Sequence, residues 1–144
     1  MFSKTCEYAI RAMIFIAQKS KNGNKAGIKE IARKINAPEY FIAKILQEAG
    51  RKGLVQSSKG PSGGFYMEGE LMECSLADIV KAVDGDKLFR GCGLGLKTCS
   101  ETKPCPIHNE FKAVRNDIFN MLQNAKIGEF SNQLNQKLTF LKRG

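Results

Sequence analysis

Residues 28–67 read IKEIARKINAPEYFIAKILQEAGRKGLVQSSKGPSGGFYM, and their apolar spacing decides the fold. Ile28, Ile31, Ala32 and Ile35 recur at i, i+3, i+4 and i+7, the period of one helix face. Asn36 stops that helix, and Pro38 suits the first turn of the next. The following helix keeps Ile42, Ile45, Leu46 and Ala49 on one side and ends near Gly50 or Gly53. Two short helices joined by a tight turn form a helix-turn-helix pattern, whose second helix presents its early residues to the DNA major groove. Many all-α cores contain such pairs, so the next segment carries the distinction. Leu54 to Ser58 reads as a strand, Gly60 to Gly64 as a turn, and Phe65 to Met67 as the return strand. A hairpin directly after the helix pair makes this a winged helix: mainly α, with a small β-hairpin wing.

The polar side of the second helix offers Glu39, Tyr40, Ala43, Lys44 and Gln47 to solvent. Of these, Glu39, Tyr40, Lys44 and Gln47 are candidates for reading bases or phosphates. Glycines keep the wing backbone slim, so Ser62 and Gly63 can approach a nucleic acid, and Lys59 supplies a cation for a phosphate or minor-groove edge. The plainer reading is an exposed loop whose glycines serve turn geometry alone.

Upstream, Tyr8, Ala9, Ala12, Met13, Ile16 and Ala17 predict an amphipathic helix over residues 5–20, broken by Lys21-Asn22-Gly23-Asn24. Downstream, Ser75 and Asp78 form a capping pattern for a helix from Leu76 to Val83, closed by Asp84-Gly85. Residues 86–104 show little periodicity and read as a loop. A long helix is predicted from Pro106 to about Ala125. Its stripe of Phe111, Val114, Ile118, Met121 and Leu122 is the candidate dimer seam, because DNA half-sites reward two-fold symmetry. Packing against its own head is the alternative. The last residues, 126–144, are polar with scattered apolar positions, suited to capping the seam. The expected organisation is a DNA-binding head over 1–72, then a regulatory half over 73–144 with its loop at about 91–108.

Charge agrees with a polyanionic partner. Residues 1–72 hold twelve Lys/Arg against six Asp/Glu, a net +6, within a chain of net +9. No apolar run reaches the roughly 18 residues a membrane span needs, and no strongly basic amphipathic helix suggests a membrane surface. No small-residue cleavage site follows the first helix, so a secretory signal is not expected. The expected compartment is the reducing cytoplasm, where five cysteines serve as thiols or ligands before disulfides.

Cys92, Cys99, Cys105 and His108 lie within seventeen positions of a glycine-rich stretch. Six residues separate the first two cysteines, five the next pair, and two lie between Cys105 and His108. This is not the paired short spacing of zinc sites, and it suits a flexible loop around a larger object. Thiolates with an imidazole favour iron–sulfur clusters, zinc or copper over hard cations. Pro106 at the first helical position would put Cys105 at the N-cap, where the helix dipole favours a thiolate. Cys6 and Cys74 read as small buried hydrophobes.

These residues resemble a known family. Glu7 to Ala12 (EYAIRA), Ile28 to Ala32 (IKEIA), Gly53-Leu54-Val55, Lys59 to Phe65 (KGPSGGF) and the cysteine loop match the bacterial winged-helix regulators that include the iron–sulfur regulator IscR, the nitric-oxide sensor NsrR and the cysteine-metabolism repressor CymR. The resemblance spans Thr5 to about Phe130. It implies a homodimeric regulator of double-stranded operator DNA carrying a [2Fe-2S] or [4Fe-4S] cluster on Cys92, Cys99 and Cys105. His108 matches the fourth ligand of the IscR type, and Glu7 matches the acidic residue that NsrR-type proteins donate from the partner subunit. Ala43 stands where IscR-type recognition helices carry a glutamate, so their target sequence does not carry over.

Two rivals remain at this level. One keeps the DNA head and makes the cysteines a thiol switch, or leaves control to a protein partner. The other is a small thiol oxidoreductase. No paired-cysteine redox motif or carboxylate–histidine acid–base set supports the second, and it would leave the basic head idle. The chain is therefore not expected to be an enzyme.

Overall fold

In the computed structural model, which describes residues 1–144, the first predicted helix becomes the hub on which the other elements pack. This helix, α1 (Lys4–Lys21), begins at Ser3, whose Oγ accepts the Cys6 N–H at 3.0 Å. It buries Ile10 and Phe15 beside the predicted stripe, because α2, α3 and α4 surround it. The helix α2 (Ile28–Ile35) ends at Asn36 in the left-handed conformation (φ 56°), which asparagine tolerates better than most residues. The helix α3 (Glu39–Arg51) follows, burying Ile42, Ile45, Leu46 and Ala49 as their spacing predicts. Pro38 sits one step earlier than expected, at the N-cap.

The wing is shorter than its sequence suggests. Strands β1 (Gln56–Ser58) and β2 (Gly64–Tyr66) pair antiparallel, with Ser57 opposite Phe65, while Val55 is buried before the strand begins. A third segment joins them: Ala26 and Phe65 exchange two backbone hydrogen bonds, of 3.0 and 2.8 Å. This contact explains Gly64, which has φ +143°. A Cβ there would stand 2.8 Å from the Ala26 carbonyl oxygen.

The helix α4 (Leu76–Asp84) has the predicted capping box, with Ser75 and Asp78 bonding reciprocally at 3.1 Å. The stretch read as a loop opens with a short helix, α5 (Lys87–Arg90). Its Phe89 meets Phe119 edge-on with ring centroids 5.0 Å apart. The long helix α6 (His108–Asn124) begins two residues later than predicted, with Ile107 at the N-cap. Pro106 therefore precedes the helix. Cys105 is not its N-cap and lends only its carbonyl, which accepts from the His108 N–H at 3.0 Å.

Backbone bonds from Leu76 to the Ala125 carbonyl (2.9 Å) and from Ile127 to the Cys74 carbonyl (2.8 Å) stitch the end of α6 to the start of α4. The tail then turns back to its own head instead of extending from α6. After α7 (Ser131–Asn135), Arg11 donates to the carbonyls of Ile35 (2.7 Å) and Leu141 (3.5 Å). One hydrophobic cluster runs from Cys6 to Ile127 and spans both halves of the chain.

Candidate nucleic-acid interface and candidate metal centre

The apolar stripe of α3 faces the core, which forces its other side outward. Tyr40, Lys44 and Gln47, at i, i+4 and i+7, share one exposed face with Glu39 beside them. Tyr40 is 70% exposed and stacks on Phe41 with centroids 4.5 Å apart. Phe41 in turn lies 6.1 Å from Tyr8, over which Arg11 (5.3 Å) and Lys4 (5.4 Å) are poised. The result is an aromatic edge bordered by cations, suited to apolar contact with base edges and to phosphate pairing. Phe41 was not foreseen as part of this surface. Its signal was present: an aromatic residue off the apolar stripe.

Lys29 also escaped the sequence reading, because it belongs to the preceding helix. It lines a surface hollow with Glu39, Tyr40 and Ala43. Lys25 likewise reaches the wing, donating to Ser58 Oγ at 3.0 Å and lying 4.9 Å from the Tyr66 ring centre. Lys59, Gly60, Pro61 and Ser62 form the exposed wing tip. Gly63 has a packing reason of its own, since a Cβ would fall 2.3 Å from the Ser58 carbonyl oxygen.

The cysteines separate into two classes. Cys6 and Cys74 are buried, and burial is the main cause that pushes their thiols up, to about 12 and about 11. Cys92, Cys99 and Cys105 are partly exposed free thiols on the loop between α5 and α6. The Leu94 N–H, first of its causes, holds the Cys92 thiol below its ordinary range, joined by the Leu96 N–H and the neighbouring Cys105 thiol. Backbone N–H groups aimed at a sulfur stabilise its charged form, the form that ligates metals.

Cys99 Sγ lies 3.5 Å from His108 Nδ1, and His108 is itself buried. The four donors thus stand as two pairs, Cys92 with Cys105 and Cys99 with His108. No three His, Cys, Asp or Glu side chains converge at metal-holding distance. By type, thiols with N–H groups directed at the sulfur of Cys92 are donors that an iron–sulfur cluster takes. A Cβ on Gly93 would stand 2.8 Å from the Phe111 ring, and one on Gly91 would stand 2.6 Å from the Lys87 carbonyl oxygen. Glu7 is exposed, 3.6 Å from Lys4 Nζ, and does not line the cleft that contains Cys92.

The predicted seam of α6 divides by face. Leu122 is buried, and Ile118 packs against the head's core, so both serve the protein's own interior. Phe111 supports the cysteine loop through Gly93. Val114 and Met121 remain 55% and 57% exposed, in line with exposed Ile107 at seven-residue steps. Leu122 therefore leaves the candidate interface, since a side chain already removed from water gains nothing from a partner.

Comparison with known proteins agrees with this architecture. A model of the Rrf2 family, described as iron-dependent transcriptional regulator, matches residues 2–133. An HTH-type transcriptional regulator of Aquifex aeolicus is 29% identical over 134 residues, covering 92% of each chain. The fold superimposes on CymR, the global cysteine regulator of B. subtilis, with TM-score 0.74 at 19% identity, covering 92% of this chain and 96% of that one. It superimposes on T. potens IscR with TM-score 0.72 at 17% identity, covering 100% and 93%.

Proposed function

From the premise that this chain belongs to the Rrf2 family of transcriptional regulators, we propose that it is a cytoplasmic homodimer whose affinity for operator DNA is switched by an iron–sulfur cluster. The observation that carries the reading is the set of partly exposed thiols of Cys92, Cys99 and Cys105 on one loop, with the His108 imidazole facing Cys99. Those three cysteines would hold the cluster with His108 as fourth ligand. Glu7 of the partner subunit is the second option for that position. When bound, the cluster supplies a centre reactive toward oxidants and nitric oxide.

The chain's own residues supply the coupling. Cys92, Cys99, Cys105 and His108 would hold the group, and bringing their two pairs together would fix the loop between α5 and α6. Arg115 of α6 already holds the loop's first carbonyl, that of Gly91, at 2.6 Å. Two contacts then relay position to the head. Asp84, at the end of α4, accepts from the Ser3 N–H (2.9 Å) at the start of α1. Lys52, which caps α3, donates to the Ala82 carbonyl of α4. A small rotation of α4 therefore reaches both α1 and the recognition helix. In a dimer built on Ile107, Val114 and Met121, this changes the separation of two recognition helices, and with it the fit to two half-sites. Residues 1–72 read DNA and residues 73–144 sense, although both share one core.

The test begins with protein purified without oxygen. Matched iron and acid-labile sulfide with charge-transfer absorption are expected. Duplexes selected from random-sequence DNA by this form should bind differently once the iron is removed. Colourless, iron-free protein that binds the same duplexes would replace the reading with a thiol switch. The lowered Cys92 thiol beside Cys105 favours that second form. Sedimentation of Met121→Glu tests the dimer: an unchanged assembly state removes α6 as the seam.

A further inference from the structure

The environment of His108 contains more than a donor atom. His108 opens α6 and is only 6% exposed. Its two ring nitrogens face different partners: Nδ1 looks toward Cys99 Sγ at 3.5 Å, and Nε2 lies 3.2 Å from Glu101 Oε2. The second contact is close but not aligned as a hydrogen bond, so buried Nε2 has no proper partner in this arrangement. The other carboxylate oxygen of Glu101 pairs with Lys112, one turn along α6 from His108. The pairing with Lys112 is also the first cause that lowers the Glu101 carboxyl, ahead of His108.

A buried imidazole nitrogen without a partner is costly. A small reorientation of Glu101, already 3.2 Å away, would give Nε2–H the acceptor it lacks before any ligation and leave Nδ1 free on the thiol side. Metal-bound histidines commonly donate their second N–H to a carboxylate, which fixes the ring's tautomer and orientation. Glu101 is largely exposed, so by itself it would have no reason to stay at this angle. Lys112 supplies that reason.

We propose that Glu101, held by Lys112, is the positioning residue that presents His108 to the cluster through Nδ1. The inference rests on the cluster reading above. It adds a carboxylate–imidazole–metal relay and names the ligating atom. Lys112 links the relay to α6, so the ligand and the seam helix share one rigid turn.

His108 is the chain's only histidine, so its nitrogen signals are unambiguous. In cluster-free protein, ¹⁵N NMR should show the Nε2–H tautomer almost alone, and Glu101→Ala should move it toward a mixture. A dominant Nδ1–H tautomer, or no change in Glu101→Ala, overturns the proposal whether or not a cluster binds. In cluster-loaded protein, Glu101→Gln should weaken retention against a chelator by about ten- to a hundred-fold, the usual cost of losing such a partner. The same substitution in a His108→Cys background should change retention less than about two-fold, since a thiolate needs no second N–H acceptor. Equal loss in both backgrounds would make Glu101 a general loop brace and overturn the relay. Failure of the wild-type chain to hold iron and sulfide at all would instead be the failure of the cluster reading, and the NMR result would stand apart from it.

Discussion

Two glycine-rich loops in this molecule are built in opposite ways. At the wing, Gly63 and Gly64 are pressed against backbone, the Ser58 and Ala26 carbonyls, within a ladder that joins three segments. In the cysteine loop, Gly93 presses on the ring of Phe111. The segment is held largely by side chains: Cys99 to His108, Glu101 to Lys112, and Arg115 to the Gly91 carbonyl. Backbone ladders satisfy obligatory polar groups and resist rearrangement. Side-chain ties can be exchanged one by one. The wing is therefore fixed by its backbone ladder, and the thiol loop by ties that can be exchanged.

The sharpest separation of the two should come from replacing Cys92, Cys99 and Cys105 together by alanine. Cluster absorption and signal response should vanish and affinity for the selected duplexes should shift to that of the iron-free protein, while circular dichroism persists. Loss of folding in the triple variant would show that the loop is as structural as the wing.

Next in size, Gly64→Ala forces a side chain into a positive φ against the Ala26 backbone and should cost about 1–3 kcal/mol in denaturant unfolding. Gly93→Ala meets a ring that can tilt, so its thermal midpoint should fall less. Equal destabilisation would erase the distinction between the loops.

Ionisation offers a third comparison. The folded-state thiols of Cys6 and Cys74 are raised to about 12 and about 11, from an ordinary value of 9.0. The unfolded chain therefore releases these protons first as pH rises. Their contribution is fully present below about pH 9 and is lost progressively as pH climbs toward 11 and 12. Stability should fall over that window, and Cys74→Ala should flatten the fall. Cys92 is shifted the other way, so limited alkylation of cluster-free protein at pH 7.5 should label it well before Cys6 or Cys74. Mass spectrometry decides the order.

The smallest effect is expected at the wing tip. Lys59→Ala should leave stability unchanged and reduce the slope of log affinity against log salt by about one. An unaltered slope would remove Lys59 from the phosphate contacts.

Much of the head was legible because its signals are local. The stripe Ile42, Ile45, Leu46 and Ala49 meets the core as its period requires, and Ser75 with Asp78 caps α4 as the pattern predicts. What escaped was non-local. Ala26 joins the wing from 39 residues away in sequence, and nothing in its neighbours announces that bridge. The α6 stripe was visible as apolar, but its period cannot say which half faces the protein's own core. Only the packing of α4 and α5 assigns Leu122 inward and leaves Met121 outside. The position of Pro106 misled for a related reason. Proline is compatible with a first helical turn without requiring it, and here α6 starts at His108.

The chain's residue order determined the winged helix-turn-helix, the basic head and a loop of three thiols near one imidazole, because periodicity, caps, turns and donor types are written into neighbouring residues. Tertiary structure decided which thiol meets the imidazole, that Glu101 and Lys112 stand behind it, and that Asp84 and Lys52 tie the loop's side of the molecule to α1 and α3. These contacts depend on angles between packed helices, and hydrophobic patterning specifies burial without specifying angle.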